Sequence, residues 1–185
     1  MVHGGPSVEP TGVHGAGAEQ DDVPVLAQLL EAYMRETLKA PWNGSAKALR
    51  REGFGREFDI QVAVSSRGEV VGFAAWGKSY DLHHCITGGY VLDVYVSPEW
   101  RARGVAPALL FAVAAKILRR GGKYVKGQAV QNRAIQRLYA RVAVCFPGAD
   151  CVVGGRAFRR LAELAGQSPR AATRGLPEKS WNYQP

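Results

Sequence analysis

Cysteine is scarce: only Cys85, Cys145 and Cys151 occur in 185 residues. An odd number without paired spacing argues against a disulfide framework and points to a reducing, cytoplasmic setting. Cys145 and Cys151 stand too far apart for a C-x-x-C metal knuckle. His83, His84 and Cys85 are contiguous, with no second ligand cluster elsewhere, so they read as a turn with two exposed histidines and no metal. Long apolar runs are also missing. None approaches the ~18 residues of a membrane span, and the first residues lack the basic start and apolar block of a secretory signal. Acidic residues are rare in the second part of the chain. Residues 1–100 hold eight Lys and Arg against thirteen Asp and Glu, whereas residues 101–185 hold sixteen against three. The basic half therefore faces something anionic or is simply solvated; nucleic acid, a membrane and a phosphorylated cofactor are the candidates.

What is present is ordinary globular composition, with 46% hydrophobic and 22% charged residues. The length suits one domain with a sizeable core. Residues 1–20, rich in Gly, Pro and His, read as a flexible leader or edge segment. Residues 21–166 form the domain, and residues 167–185, with three prolines and Gly175, form a tail.

Asp21-Asp22 precedes Leu26, Leu29, Leu30, Tyr33 and Leu38, helical spacing behind an Asp N-cap. A weaker helix is expected over residues 46–51. Ile60, Val62 and Val64 alternate as a strand, a Ser-Ser-Arg-Gly turn follows, and residues 70–76 return as the second arm of a hairpin. Residues 78–87 read as a polar loop and residues 88–96 as a strand ended by Pro98. A long helix begins at Gly104, with Pro107 in its first turn and two apolar stripes, so it packs on a sheet through a wide arc. Residues 124–130 form a short strand. Asn132 caps a helix whose core face is Ile135, Leu138, Tyr139 and Val142. One or two short strands lie between Cys145 and Val153, and a last helix runs over residues 157–165. The order predicts a mixed α/β chain with one sheet.

The chemistry concentrates where the strand ending Val94-Tyr95-Val96 runs through Ser97-Pro98-Glu99-Trp100 into Arg101-Ala102-Arg103-Gly104-Val105-Ala106. Free N–H groups and the positive end of a helix dipole meet there and make an anion site. Gly104 and Ala106 keep the backbone bare, while Arg101 and Arg103 add charge. The spacing is neither that of a nucleotide P-loop nor Gly-x-Gly-x-x-Gly. These residues specify a phosphate, without specifying its carrier.

Arg101-x-x-Gly104-x-Ala106 after Val94-Tyr95-Val96-x-Pro98 resembles the coenzyme A signature of the GNAT acetyltransferase superfamily. Asn132, six intervening residues and Leu138-Tyr139 resemble that family's next helix. Val71-Gly72-Phe73-Ala74 and the loop with Tyr80 are similar to its small-amine branch, which includes spermidine/spermine-type enzymes. Where that branch carries two acidic residues, this chain has Leu92-Asp93. The resemblance covers roughly residues 20–147. It implies a single α/β domain with a mixed, mostly antiparallel sheet flanked by helices, acetyl-CoA as co-substrate, a small-molecule primary amine as acceptor, and a homodimer. It also implies coenzyme A contacts from Val94, Tyr95, Val96, Arg101, Ala102, Arg103, Gly104, Val105, Ala106 and Asn132. Tyr139 would protonate the departing sulfur, and Asp93 or a bound water would accept the amine's proton.

Strand alternation puts the Asp93 side chain on the face of Val91 and Tyr95, opposite Leu92 and Val94. Two rival readings remain: a nucleic-acid-binding module using the basic half, and a coenzyme A sensor without turnover. The first would need exposed aromatics among the basic residues. Phe111, Tyr124, Tyr139, Phe146 and Phe158 lie mostly on expected core faces instead.

Overall fold

The computed structural model describes residues 12–128, 133–145 and 151–167. Its centre is the strand pattern read from the alternating residues: β2 (Asp59–Ser65), β3 (Val70–Asp81) and β4 (Ile86–Val96) form an antiparallel meander. The β2–β3 turn closes with Gly68 N–H on Ser65 O, and the Ser65 hydroxyl accepts from the N–H groups of Arg67 and Glu69. The stretch expected as a polar loop at 78–87 is mostly strand. Lys78 pairs with Gly89 and Asp81 with Ile86, leaving only residues 82–85 as the turn. Its polar residues sit on a solvated part of the sheet, where period-two burial leaves no apolar signal.

The complete sheet has seven strands in the order β1-β2-β3-β4-β5-β7-β6, with β5 (Tyr124–Gly127), β6 (Val144–Cys145) and β7 (Cys151–Gly154). All neighbours are antiparallel except β4 and β5, which need a crossover and receive it from α3 (Val105–Arg119). Part of the segment expected as a leader or an edge, residues 1–20, is the sheet's outermost strand. Val13–Gly17 is strand β1, paired with residues 61–65. Its glycines hid it, and one of them explains it: a Cβ at Gly15 would stand 2.6 Å from the Ala112 methyl and 2.9 Å from Ala108 O. Glycine lets α3 lie directly on the edge strand.

Two layers cover the sheet. On one face α3, α4 (Arg133–Val142) and α5 (Gly155–Glu163) enclose Val91, Val96, Leu109, Phe111, Leu138 and Phe158. Helix α3 is buried almost all round because the sheet, α4 and α5 all pack against it, which accounts for its two apolar stripes. On the other face α1 (Val23–Thr37) and α2 (Ala46–Glu52) enclose Leu26, Leu29, Ile60, Val62, Phe73 and Tyr95. Asp22 holds the N-cap position of α1, but its carboxylate accepts from Glu19 N–H at 2.8 Å. Ser45 caps α2 through its hydroxyl, which accepts from Ala48 N–H. Helix α5 starts two residues before the expected Ala157. Residues 168–185, the expected tail, lie outside the described residues, as does Asn132.

Candidate active site

Strands β4 and β5 run together for only three pairs, ending at Val91 opposite Gly127. Strand β4 then continues to Val96 beside β3 alone. The break coincides with a bulge: Ala75 faces Asp93 and Trp76 faces Val91, so Leu92 is an extra residue, 51% exposed. A bulge sharpens local twist and turns β4 away from β5. It also corrects the facing expected from strict alternation. Val91 packs in the α3 layer, whereas Tyr95 packs in the α1 layer. One inserted residue shifts the period by one, so Asp93 does not share a face with Val91.

The edge of β4 beyond the bulge is bare among the described residues. Ser97 N–H donates to Val71 O on β3 at 3.0 Å. Alternation then aims Tyr95 N–H at β3, and the N–H groups of Val94 and Val96 into the gap. A wedge-shaped opening with two inward N–H donors therefore separates the two sheet halves.

The phosphate-type loop lies at the end of β4. Trp100 N–H and Arg101 N–H close a short 3-10 turn on Ser97 O and Pro98 O. Ala102 and Gly104 then take positive φ of 60° and 83°, and Gly104 is the N-cap of α3. The first bond into the helix is Ala108 N–H to Gly104 O, since Pro107 has no N–H. The five N–H groups of residues 102–106 thus have no backbone acceptor among the described residues. Five donors gather at the positive end of a 15-residue helix, an arrangement chemically suited to an anion.

The two arginines of the loop part company. Arg103 lies over the Trp100 ring at 5.3 Å and has no acidic partner among the described residues. Arg101, expected on the phosphate, is engaged elsewhere. Its Nε donates to Val96 O at 2.9 Å, and its two terminal nitrogens donate to the two Glu36 carboxylate oxygens, each at 2.6 Å. The Arg101 hydrogen bonds hold the Glu36 carboxyl below its ordinary range. Three of the five Arg101 guanidinium N–H groups are thus committed to Glu36 and Val96, and the ion pair offsets the charge.

On the α1 face, the Tyr33 hydroxyl donates to Asp93 Oδ1 at 2.6 Å. Burial first, and the Asp93 carboxylate second, push the Tyr33 phenol up to about 12, so it remains a donor throughout the neutral range. Tyr33 also packs edge-on against Phe73 and Tyr95. No Lys or Arg pairs with Asp93 among the described residues. Tyr33→Phe should therefore lower stability by about 1–2 kcal/mol, the reach of a partly exposed hydrogen bond to a charged group. The check is a fall in the urea midpoint with unchanged slope; an unmoved midpoint would show the bond contributes nothing.

On the opposite face Tyr139 is 6% exposed, between α4 and the sheet. Its hydroxyl lies 3.2 Å from where a Cβ at Gly127 would stand, and the Val91 Cβ lies 3.3 Å from the same point. It sits at the apex of the gap. Asp93 and Tyr139 therefore flank one opening from opposite faces.

Sequence reasoning missed Tyr33 and Glu36. Their partners are 60 and 65 residues away, and helical spacing marks Tyr33 only as a core residue. A cleft of about 270 Å³ at the far end of α3, lined by Trp76, Asp59, Lys78, Ile117 and Arg120, is remote from this chemistry. The described residues contain no group of three or more His, Cys, Asp or Glu able to hold a metal, and no helix long and apolar enough to cross a membrane. In the basic half, Phe111, Tyr124, Tyr139 and Phe158 are buried, so none of these four described aromatics offers a stacking platform for nucleic acid.

Comparison with known proteins gives the same picture. The acetyltransferase (GNAT) family model matches residues 26–143. An acetyltransferase of Pectobacterium atrosepticum is 28% identical over 138 residues, covering 74% of this chain and 89% of that protein. The structure of a ribosomal-protein-alanine N-acetyltransferase from Brucella melitensis biovar Abortus is 25% identical over 72% of this chain and 92% of its own, with a TM-score of 0.59. An aminoglycoside acetyltransferase from an uncultured soil metagenomic sample, solved with sisomicin, shares the fold. It is 18% identical, covers 70% of this chain and 85% of its own, and has a TM-score of 0.57. With the family matched over well more than half its length, the chain belongs to the GNAT acetyltransferases, acetyl-CoA-dependent N-acetyltransferases.

Proposed function

We propose that this chain transfers the acetyl group of acetyl-CoA directly to the primary amine of a small cationic molecule, polyamine-like or amino-acid-like, in the cytoplasm. The observation that carries this reading is the two-sided gap. Asp93, a carboxylate without a cationic partner among the described residues, stands on the α1 face, and the Tyr139 hydroxyl stands on the α3 face. An ammonium ion approaching from the α1 side meets an acceptor for its proton. With that proton gone, the nitrogen lone pair attacks the thioester carbon from that side; the C–N bond forms, the C–S bond breaks, the nitrogen sheds its second proton to water, and the phenol that protonates the sulfur is reprotonated from solvent.

The residues divide the work by position. The N–H groups of Val94 and Val96 point into the gap and fit an oxygen on which negative charge develops. Tyr139 supplies the proton that the leaving sulfur takes up. The N–H groups of residues 102–106 suit the pyrophosphate, with Arg103 as the available charged side chain. Asn132 retains its proposed place beside the cofactor. Much of the rate would come from positioning across the gap.

The test is thiol release from acetyl-CoA against a panel of amines: polyamines, free amino acids, an aminoglycoside and a ribosomal-protein N-terminal peptide beginning with Ala. Turnover is expected to be highest, by at least about tenfold in kcat/KM, with a small polyamine or amino acid. That difference corresponds to about 1.4 kcal/mol of transition-state preference. Release only with the peptide or the aminoglycoside would overturn the acceptor assignment. No release with any amine would favour a coenzyme A sensor.

A further inference from the structure

Helix α1 reaches forward to both halves of the reaction from one of its faces. Tyr33 and Glu36 are three residues apart and therefore neighbours on the helix surface. The first holds Asp93, on the acceptor side of β4; the second holds Arg101, in the phosphate-type loop. These bonds span 60 and 65 residues of chain. We propose that Glu36 is a positioning residue for cofactor binding: through Arg101 it fixes the loop and the last peptide of β4. This rests on the reading of residues 102–106 as the pyrophosphate site.

Three observations support it. All three Arg101 side-chain nitrogens are engaged, Nε on Val96 O and both terminal nitrogens on Glu36. Val96 O lies on the same bare edge as the inward N–H groups of Val94 and Val96, so an unpaired carbonyl there would meet the cofactor's anionic groups unfavourably. Arg101 removes that lone pair from the gap. The pair is also braced from below: Tyr95 donates its hydroxyl to Glu36 at 3.3 Å, and the Arg101 guanidinium lies 5.5 Å from the Tyr95 ring centroid. A planar fork with three fixed acceptors sets orientation as well as charge. Lysine, a point donor, cannot reproduce it.

The inference differs in sign from the simpler idea that Arg101 is a phosphate ligand. If Arg101 were such a ligand, restrained by Glu36, neutralising Glu36 would release it and coenzyme A would bind more tightly. If Glu36 positions the loop through Arg101, neutralising Glu36 weakens binding instead.

The experiment is isothermal titration of coenzyme A into wild-type protein, Glu36→Gln, Arg101→Lys, the double variant and Glu36→Asp, with urea midpoints measured alongside. Glu36→Gln and Arg101→Lys should each raise Kd about three- to tenfold, the scale of one charge-assisted contact. The double variant should be no worse than either single one, because both break the same link. Glu36→Asp, which keeps the carboxylate, should recover part of the loss and remains informative if Glu36→Gln folds poorly. Amine KM in Glu36→Gln should change less than coenzyme A Kd, a split that general loosening of the domain would not produce. An unchanged or lowered Kd in Glu36→Gln, with wild type binding normally, overturns the proposal. Wild-type protein that fails to bind coenzyme A overturns the pyrophosphate-site reading, and this inference with it.

Discussion

Tyr139→Phe should lower kcat by roughly 10²–10⁴, the usual reach of general acid catalysis, while coenzyme A affinity changes by less than about tenfold. The expectation follows from where the hydroxyl is placed. Tyr139 packs beside Leu138 and Val142 in the α3 layer, and phenylalanine keeps that packing. What it loses is a hydroxyl at the apex of the gap, 3.2 Å from the Cβ position of Gly127 and beside Val91. The sulfur must leave on that side if the amine arrives from the side of Asp93. A tyrosine that only fills the core predicts something different: near-normal turnover, or a stability loss that lowers every property together. Measuring kcat, coenzyme A Kd and Tm on one variant separates the two. Wild-type turnover in the phenylalanine variant would remove Tyr139 from the mechanism and leave water as the proton source.

The gap behind that prediction was not legible in the sequence, although the strands forming it were. Val91-Leu92-Asp93-Val94-Tyr95 reads as a continuous strand, and periodicity assumes each residue advances the face by one. The bulge at Leu92 breaks that assumption, and nothing in an apolar-acidic run reveals which residue is extra. The consequence is chemical. Without the bulge, Asp93 would share the layer of Val91 and Tyr139; with it, carboxylate and phenol stand on opposite faces.

The hairpin, α1 and α2 were legible from local signals, alternating apolar residues around a turn and helical apolar spacing, and α3 from its length and wide apolar arc ahead of Gly121. Strand β1 was not, because contact with α3 demands glycine where a strand normally shows β-branched residues. The same divide runs through the site. Gly104 and the helix start behind it are local features, so spacing alone suggests an anion-binding loop there. The destination of the Arg101 side chain is a tertiary fact. An arginine in such a loop reads as a phosphate contact until Glu36, 65 residues earlier, is brought beside it.

Gly104→Val should abolish coenzyme A binding and, with it, acetyl transfer, while the domain remains folded. Gly104 sits at φ 83° and ψ 9°, in the left-handed region, at the N-cap of α3. A side chain there costs roughly 1–2 kcal/mol, and a β-branched one is a true outlier. The chain relieves that strain by rotating the flanking peptides, which turns the N–H groups of Gly104 and Val105 away from their common direction. Helix α3 itself should survive, because Leu109, Phe111, Val113 and Ile117 remain buried in the core it shares with the sheet and α5. At a coenzyme A concentration about 100 times its Kd, wild-type protein gains about 2.7 kcal/mol. For a chain of this size that is a rise of roughly 5–10 °C in Tm. The valine variant should show a Tm a few degrees lower without ligand and no measurable rise with it. Gly104→Ala, with a single methyl and a smaller penalty, should retain part of the rise. The graded pair guards against misreading a folding defect, since lost structure would lower the unliganded Tm far more than lost binding requires. A full ligand-induced rise in Gly104→Val would move the anion site away from residues 102–106.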